Sequence, residues 1–340
     1  MKVCVALSGG VDSAVSAYLL KDMGYDVMGL HMNNYPEFTG EDLDDVRKVA
    51  KFLNIPLVEK NIVDLFEREI INYFYKEYLS GKTPNPCILC NRKIKFGKLY
   101  EFSRELKCDF FSTGHFVKKK MIKENFYLCS GKDNTKDQVY FLSRVKKDLL
   151  KYLLFPLGDY TKEEVRSIAK KAGIPVFSKK DSQEICFIKD DNYKNFLIQR
   201  GYKTATGNIQ HIDGEILGKH KGLAFYTIGQ RKGLGISYKE KLYVVNIDLE
   251  KNTLIVGSKK DLLNKQVTCI NPYFFKHIDK EFQAYCKIRF NMEKRKAKIT
   301  ICDDNSIIIN FEDPVSSVTP GQLAVFYNDS NCVIGSAFIK

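Results

Sequence analysis

Val3-Cys4-Val5-Ala6-Leu7-Ser8-Gly9-Gly10-Val11-Asp12-Ser13-Ala14-Val15 is the stretch on which the fold turns. A β-branched apolar run ends at two glycines. Beyond them Val11, Ala14, Val15, Tyr18 and Leu19 recur as one face of a helix. Strand, tight turn and helix follow from that change of period. Paired glycines let the backbone turn sharply and bring its N–H groups against an anion. The helix N-terminus adds unpaired donors and a favourable dipole, and Ser8 and Ser13 add hydroxyls. An acid at Asp12 among phosphate donors calls for a cation such as Mg2+.

Working outward, Val27–His31, Leu57–Ile62 and Phe110–Thr113 read as further strands, with helices over 42–53 and 64–79. This alternation predicts an α/β fold, a parallel sheet with helices on both faces. Its ligand site belongs at the carboxyl ends of the strands, where loops 8–13, 31–34 and 113–115 emerge. The pattern over 137–172 is helical, with a capping box at Thr161-Lys162-Glu163-Glu164 and a stop at Gly173 and Pro175. After about residue 200 the pattern turns β-rich: 222–229, 242–247 and 253–257, then 283–289, 296–302, 306–311, 322–327 and 332–339. The expected domains are a catalytic domain over 1–199, a small β-rich domain over 200–266 and a C-terminal β-barrel over 267–340.

Hydrophobic residues at 44% and charged residues at 28% suit a chain that buries a core. No apolar run approaches a membrane span, and Met1–Leu7 is too short for a secretory signal, so a cytoplasmic setting without membrane contact is expected. The net charge of +13 divides as +6, +6 and +1 among the three expected domains. The middle one is the most densely basic and suits a surface that meets a polyanion.

Ten cysteines without an export signal read as reduced thiols. Cys4, Cys108, Cys129, Cys269, Cys286, Cys302 and Cys332 sit among apolar or strand-like residues and read as small core hydrophobes. Cys87 and Cys90 differ. The prolines of Thr83-Pro84-Asn85-Pro86-Cys87-Ile88-Leu89-Cys90-Asn91-Arg92 stiffen a loop that would hold both cysteines presented. Cys90, at a helix start beside Arg92 and Lys93, should have thiolate character. A CxxC is also half a zinc site, but no second CxxC or HxxxH accompanies it, so zinc is not favoured. Cys186, in Asp181-Ser182-Gln183-Glu184-Ile185-Cys186-Phe187-Ile188, reads from its own surroundings as a buried structural cysteine.

Ser8-Gly9-Gly10-Val11-Asp12-Ser13 resembles the PP-motif of the N-type ATP pyrophosphatases, whose members cleave ATP between the α and β phosphates. With Thr83–Asn91, Ser112-Thr113-Gly114-His115, Lys136-Asp137-Gln138, Asp181–Ile188, Tyr226–Gly235 and Thr319-Pro320-Gly321-Gln322, nearly the whole chain resembles the tRNA-specific 2-thiouridylases. The resemblance implies a sulfurtransferase that replaces the C2 oxygen of a tRNA wobble uridine, with ATP and Mg2+. A cysteine desulfurase or sulfur carrier protein would supply persulfide sulfur. It makes Cys90 the nucleophile and Cys186 the persulfide carrier. It implies ATP contacts from Ala6, Leu7, Ser8, Gly9, Gly10, Val11, Asp12, Ser13, Met32 and Gly114. Asn85, Pro86 and Cys87 would hold the target base, and His115, Lys136, Asp137, Gln138, Arg289, Phe290 and Gln322 would meet tRNA.

Two departures stand out. Cys87 replaces an aspartate found in some members, and the segment from Asn33 to Glu41 is short and lacks their tryptophan and cysteine. Two other readings remain at this level. Another ATP pyrophosphatase, such as a synthetase that adenylates a carboxylate, would need neither Cys90 nor Cys186. A zinc-stabilised RNA-binding protein would release no pyrophosphate. Gly229-Gln230-Arg231-Lys232-Gly233-Leu234-Gly235 is a further basic candidate for tRNA, and Lys118-Lys119-Lys120 reads as a solvated hairpin face.

Overall fold

The computed structural model describes residues 1–35, 40–180, 185–188 and 192–340. Much of the short segment after Met32 and the start of the Asp181–Ile188 motif therefore lie outside the described residues. The chain divides into two compact units, one of 1–71, 87–183 and 328–334 and one of 72–86, 184–327 and 335–340.

In the first unit, β1 (Lys2–Ala6) leads through the glycine turn into α1 (Val11–Asp22), then β2 (Asp26–Asn33), α2 (Gly40–Phe52) and β3 (Leu57–Asn61). A helical run follows over 63–79, and a second over 86–105 leads to β4 (Phe110–Ser112). A hairpin, β5 (Val117–Ile122) with β6 (Asn125–Ser130), precedes the short β7 (Leu153–Leu154). The sheet order is β3-β2-β1-β4-β7, with every pair parallel. Strand order reverses at β1 and β4, so the crevice at their carboxyl ends is the place for a ligand.

Alternation along the strands gives the sheet two apolar faces. Val3 and Val5 pack with Val15 of α1, Val46 of α2 and Val165 of the helix Lys162–Lys171. On β4, Phe111 meets Phe96 and Tyr100 of the 86–105 run edge-on, while Phe110 joins the Val3 cluster. Helices thus cover both faces, as the sequence predicts.

The second unit carries a four-stranded sheet and most of a barrel. Strands β8 (Gly207–His211), β9 (Ile216–His220), β10 (Tyr243–Asp248) and β11 (Thr253–Gly257) pair in the order β10-β11-β8-β9. Then β12 (Leu263–Phe274), β13 (Glu281–Lys287), β14 (Arg295–Ile301), β15 (Ile307–Ser316), β16 (Leu323–Tyr327) and β17 (Val333–Ile339) form a closed six-stranded barrel.

Several expectations are corrected. The 222–229 run is no strand: Gly222 takes φ 130° and Leu223–Phe225 forms a 3-10 turn. Between 137 and 172 only Lys162–Lys171 is α-helical; 3-10 turns at Val139–Leu142 and Lys147–Tyr152 precede it. The Lys118–Lys120 face is only partly solvated, because Lys119 Nζ donates to Leu153 O at 2.7 Å and Lys118 pairs with Asp159. Cys129 and Cys332, expected as separate reduced thiols, form a disulfide across a sequence separation of 203. An antiparallel bridge at this pair, with Ser130 N–H donating to Asn331 O at 3.0 Å, brings the two sulfurs together.

Candidate active site

The glycine turn is held by its own hydrogen bonds. Gly9 sits at φ 74°, where a side chain would be strained. Ser8 N–H donates to Ser13 Oγ, the two hydroxyls lie 3.2 Å apart, and Ser13 Oγ donates to Gly10 O at 3.1 Å. Ala6 ends β1 and Leu7 follows it, with Leu7 O accepting from buried His31 Nδ1 at 2.9 Å. Met32 is half-buried in β2 opposite Lys60. Gly114 lies directly against the loop: a Cβ there would come within 2.8 Å of both Asp12 C and Ser13 N. The structure therefore brings residues 8–13 and 114 together at the point where strand order reverses.

One residue at this loop was not singled out from sequence. Lys162 is 8% exposed and its ammonium donates to Asp12 Oδ1 at 2.6 Å. Its backbone N–H donates to Asp133 Oδ2, and Thr161 and Glu164 complete the capping box over the same turn. Burial alone would push the Asp133 carboxyl up, but donors from Thr135 and the backbone amides of Lys162, Thr135 and Lys136 hold it below the usual range. The available signal was a lysine in the first turn of a helix, where the dipole favours acids.

His115 is buried, with Nδ1 2.7 Å from Thr113 Oγ1 and its ring against Phe96. Burial, reinforced by the positive field of Lys95, holds it neutral, far below its ordinary value. Gln138 Oε1 accepts from Phe116 N–H at 3.0 Å, and Asp137 Oδ1 accepts from Val139 N–H. Lys136, Asp137 and Gln138 are all half-buried; Asp137 shapes its own loop, and Gln138 ties that loop to the segment at Phe116.

The cysteine helix starts earlier than expected, at Pro86, whose missing N–H costs nothing there. Cys90 thus lies one turn in, at the start of a π-helical stretch, Cys90–Leu99. It is 9% exposed, contrary to the expectation of a presented thiol, because Ile88, Ile94 and Phe96 pull the helix onto the sheet. Asn91 Nδ2 donates to Phe141 O at 3.2 Å. Burial pushes the Cys87 thiol up against the opposing field of Lys95, which disfavours a resting thiolate.

In the second unit, Cys186 is exposed rather than buried. Its neighbour Phe187 anchors the segment edge-on against Phe74 and beside Phe196. Asn85 is half-buried and Pro86 is buried. Gln322 Nε2 donates to Thr83 O at 2.7 Å, and Thr83 N–H donates to Pro320 O at 2.9 Å, so the chain entering Asn85 is clamped by the 319–322 turn. Arg289 donates to Ile228 O and to Thr319 Oγ1. Phe290 lies under the ammonium of Lys287.

A cavity of 630 Å³ lies at the ends of β2 and β3, lined by residues including Asn33, Asn61, Arg68, Lys98 and Phe102. None of residues 6–13, 90 or 114 lines it. Among the described residues no group of three or more His, Cys, Asp and Glu could hold a metal ion, and no helix is long and apolar enough to cross a membrane.

A parallel sheet with a glycine-serine turn at its switch point defines a phosphate-loop nucleotide-binding protein, here joined to two β-rich modules. Family models match in the same order: a tRNA methyl transferase HUP domain over 1–190, a tRNA methyl transferase PRC-barrel domain over 194–258 and an aminomethyltransferase β-barrel domain over 264–339. The tRNA-specific 2-thiouridylase MnmA 1 of Caldanaerobacter subterraneus subsp. tengcongensis is 42% identical, over 100% of this chain and 98% of its own. The MnmA of Clostridium acetobutylicum is 40% identical over 100% and 99%. MnmA 1 of Fusobacterium nucleatum is 42% identical over 100% and 93%. The chain belongs to the tRNA-specific 2-thiouridylase (MnmA) family.

Proposed function

We propose that this chain is an ATP-dependent tRNA-uridine 2-sulfurtransferase, acting on the wobble uridine in the cytoplasm. The observation that carries the reading is 42% identity to a tRNA-specific 2-thiouridylase across the whole chain. The phosphate loop at the sheet's switch point agrees with it.

A uracil C2 carbonyl is a poor electrophile and its oxygen a poor leaving group. Attack of that oxygen on the α phosphate of ATP forms an O-adenylated base and expels pyrophosphate. Amides of 9–13 and the hydroxyls of Ser8 and Ser13 offer donors for the charge that develops. Asp12, a carboxylate beside those donors, fits a hard cation, and Mg2+ held there would neutralise phosphate charge. The terminal sulfur of a Cys186 persulfide, loaded by a desulfurase or sulfur carrier, then bonds to C2 as AMP leaves. Cys90 thiolate attacks the sulfur of Cys186 to release the thiolated base, or attacks first to free the sulfur. Both routes leave a Cys90–Cys186 disulfide, and a two-electron reductant must reset it. Target-base contacts from Asn85, Pro86 and Cys87, and tRNA contacts from Lys136, Arg289 and Gln322, belong to the same reading. A flipped uridine held by phosphate contacts is the recognition mode.

Serine at position 90 or 186 should abolish thiolated nucleoside in tRNA incubated with ATP and a persulfide donor, while tRNA-dependent pyrophosphate release persists. Unchanged thiolation in both variants would overturn the reading.

A further inference from the structure

Lysine is almost never buried unless paired, and Lys162 is 8% exposed with its ammonium on the carboxylate of the phosphate-loop residue Asp12. Three features fix it there. Its backbone begins the helix Lys162–Lys171, its amide is bound by Asp133, and its ammonium lies 5.8 Å from the centre of the Phe116 ring. The Asp12 carboxylate remains more open than its partner, with the side chain 32% exposed against 11% for Lys162.

We propose that Lys162 and Asp12 form a partner-exchange latch on the phosphate loop. Without nucleotide the two charges neutralise each other. When a metal-bound triphosphate enters, the carboxylate turns to the cation and the ammonium to a phosphate oxygen. Lys162 is then a phosphate-binding residue, and Asp12 without metal acts against the ligand twice, by repelling phosphate and by occupying the lysine. The latch rests on the ATP reading above and adds to it a residue and a reason for metal dependence. Two opposite charges 2.6 Å apart make the exchange nearly neutral in charge, because the carboxylate gains a cation and the ammonium an anion as the contact between them is given up. The buried ammonium is not left uncompensated in either state.

The test is calorimetric titration of ATP into the full chain, in Mg2+ and in EDTA, for the wild type and Lys162→Met, Lys162→Arg, Asp12→Asn and the Asp12→Asn/Lys162→Met double variant. Losing a charge-assisted bond to phosphate should weaken Mg2+-ATP binding about ten- to a hundred-fold in Lys162→Met, and Lys162→Arg should recover most of it. In EDTA, Asp12→Asn should bind ATP more tightly than the wild type, because the lysine is released. That gain should shrink sharply when Lys162 is also replaced. An equal gain in both backgrounds would mean simple charge repulsion and would overturn the exchange, as would Lys162→Met binding Mg2+-ATP like the wild type. If Lys162→Met fails to fold, as judged by its thermal transition, Asp12→Asn decides: no gain in EDTA sinks the proposal. A wild type that binds no ATP in either buffer refutes the ATP reading itself, and the latch with it.

Discussion

Adding one methyl group at Gly114 tests how closely two backbone segments cross at the phosphate loop. A Cβ there would lie 2.8 Å from Asp12 C, 2.8 Å from Ser13 N and 3.1 Å from Asp12 Cβ. Carbon contacts relax only at about 3.5–4.0 Å. The first turn of α1 or the 113–115 segment must therefore withdraw, and neither is the free end of a flexible side chain. Overpacking of this kind costs about 1–3 kcal/mol, which is about 2–4 °C of Tm per kcal/mol. Because the displaced atoms include the Ser13 amide, ATP affinity should fall together with stability in Gly114→Ala. Gly10→Ala supplies the contrast. Gly10 has φ −96° and ψ 162°, open to any residue, and its nearest foreign atom is Ser8 Oγ at an ordinary 3.5 Å. Its Tm should stay near wild type while ATP binding weakens, if phosphate approaches this turn as the proposed function requires. Scanning calorimetry and titration of ATP measure both quantities. A Gly114→Ala protein with wild-type Tm and affinity would refute the close crossing. Normal ATP binding by Gly10→Ala would remove this turn from the phosphate site.

Burial keeps His115 neutral, while in the unfolded chain it takes a proton near 6.5. Its contribution to stability is complete above that value and is lost as pH falls from about 6.5 toward the depressed folded value, at up to about 1.4 kcal/mol per pH unit. Urea midpoints from pH 7.5 downward should show a shallower acid slope in His115→Gln than in the wild type; parallel slopes would contradict this. Thiol titration of the denatured, unreduced protein should count eight free cysteines and, after reduction, ten. Closing a loop of 203 residues stabilises by up to about 5 kcal/mol in the chain-entropy account, so Cys332→Ser should lower the Tm, and a Tm indifferent to reductant would argue against the bridge. Arg289→Lys keeps the charge but loses the two-pronged link to Ile228 O and Thr319 Oγ1. It should lower the Tm of the tRNA-free protein, whereas a residue serving RNA alone would not.

Local chemistry explains which parts were legible. The parallel sheet and the loop at 8–13 follow from periodicity and from glycine and serine placed within a few residues of each other. The capping box at Thr161 and Glu164 is likewise a local signal, and it forms as expected. The partnership of Lys162 with Asp12 spans 150 positions, and no neighbour in sequence announces it. The same holds for Cys129 and Cys332, each of which looks like a core residue from its own segment. The 222–229 run misleads because its apolar residues are real but Gly222 turns the chain where a strand would continue. Exposure of Cys186 depends on Phe187 finding Phe74 and Phe196, which no pattern within 181–188 encodes.

The clamp on Thr83 has a consequence for biosynthesis. Both backbone hydrogen bonds of that residue go to positions 320 and 322, and Gly321 is the residue whose missing side chain lets the turn press against it. During translation the segment ahead of Asn85 has no counterpart until some two hundred and forty residues later. A nascent chain that ends before residue 320 lacks both partners of Thr83, and it also lacks Cys332, the disulfide partner of Cys129 in the first unit. Each unit therefore waits on late-made residues to close, and a fragment ending before position 320 should resist heat and protease less well than the full chain.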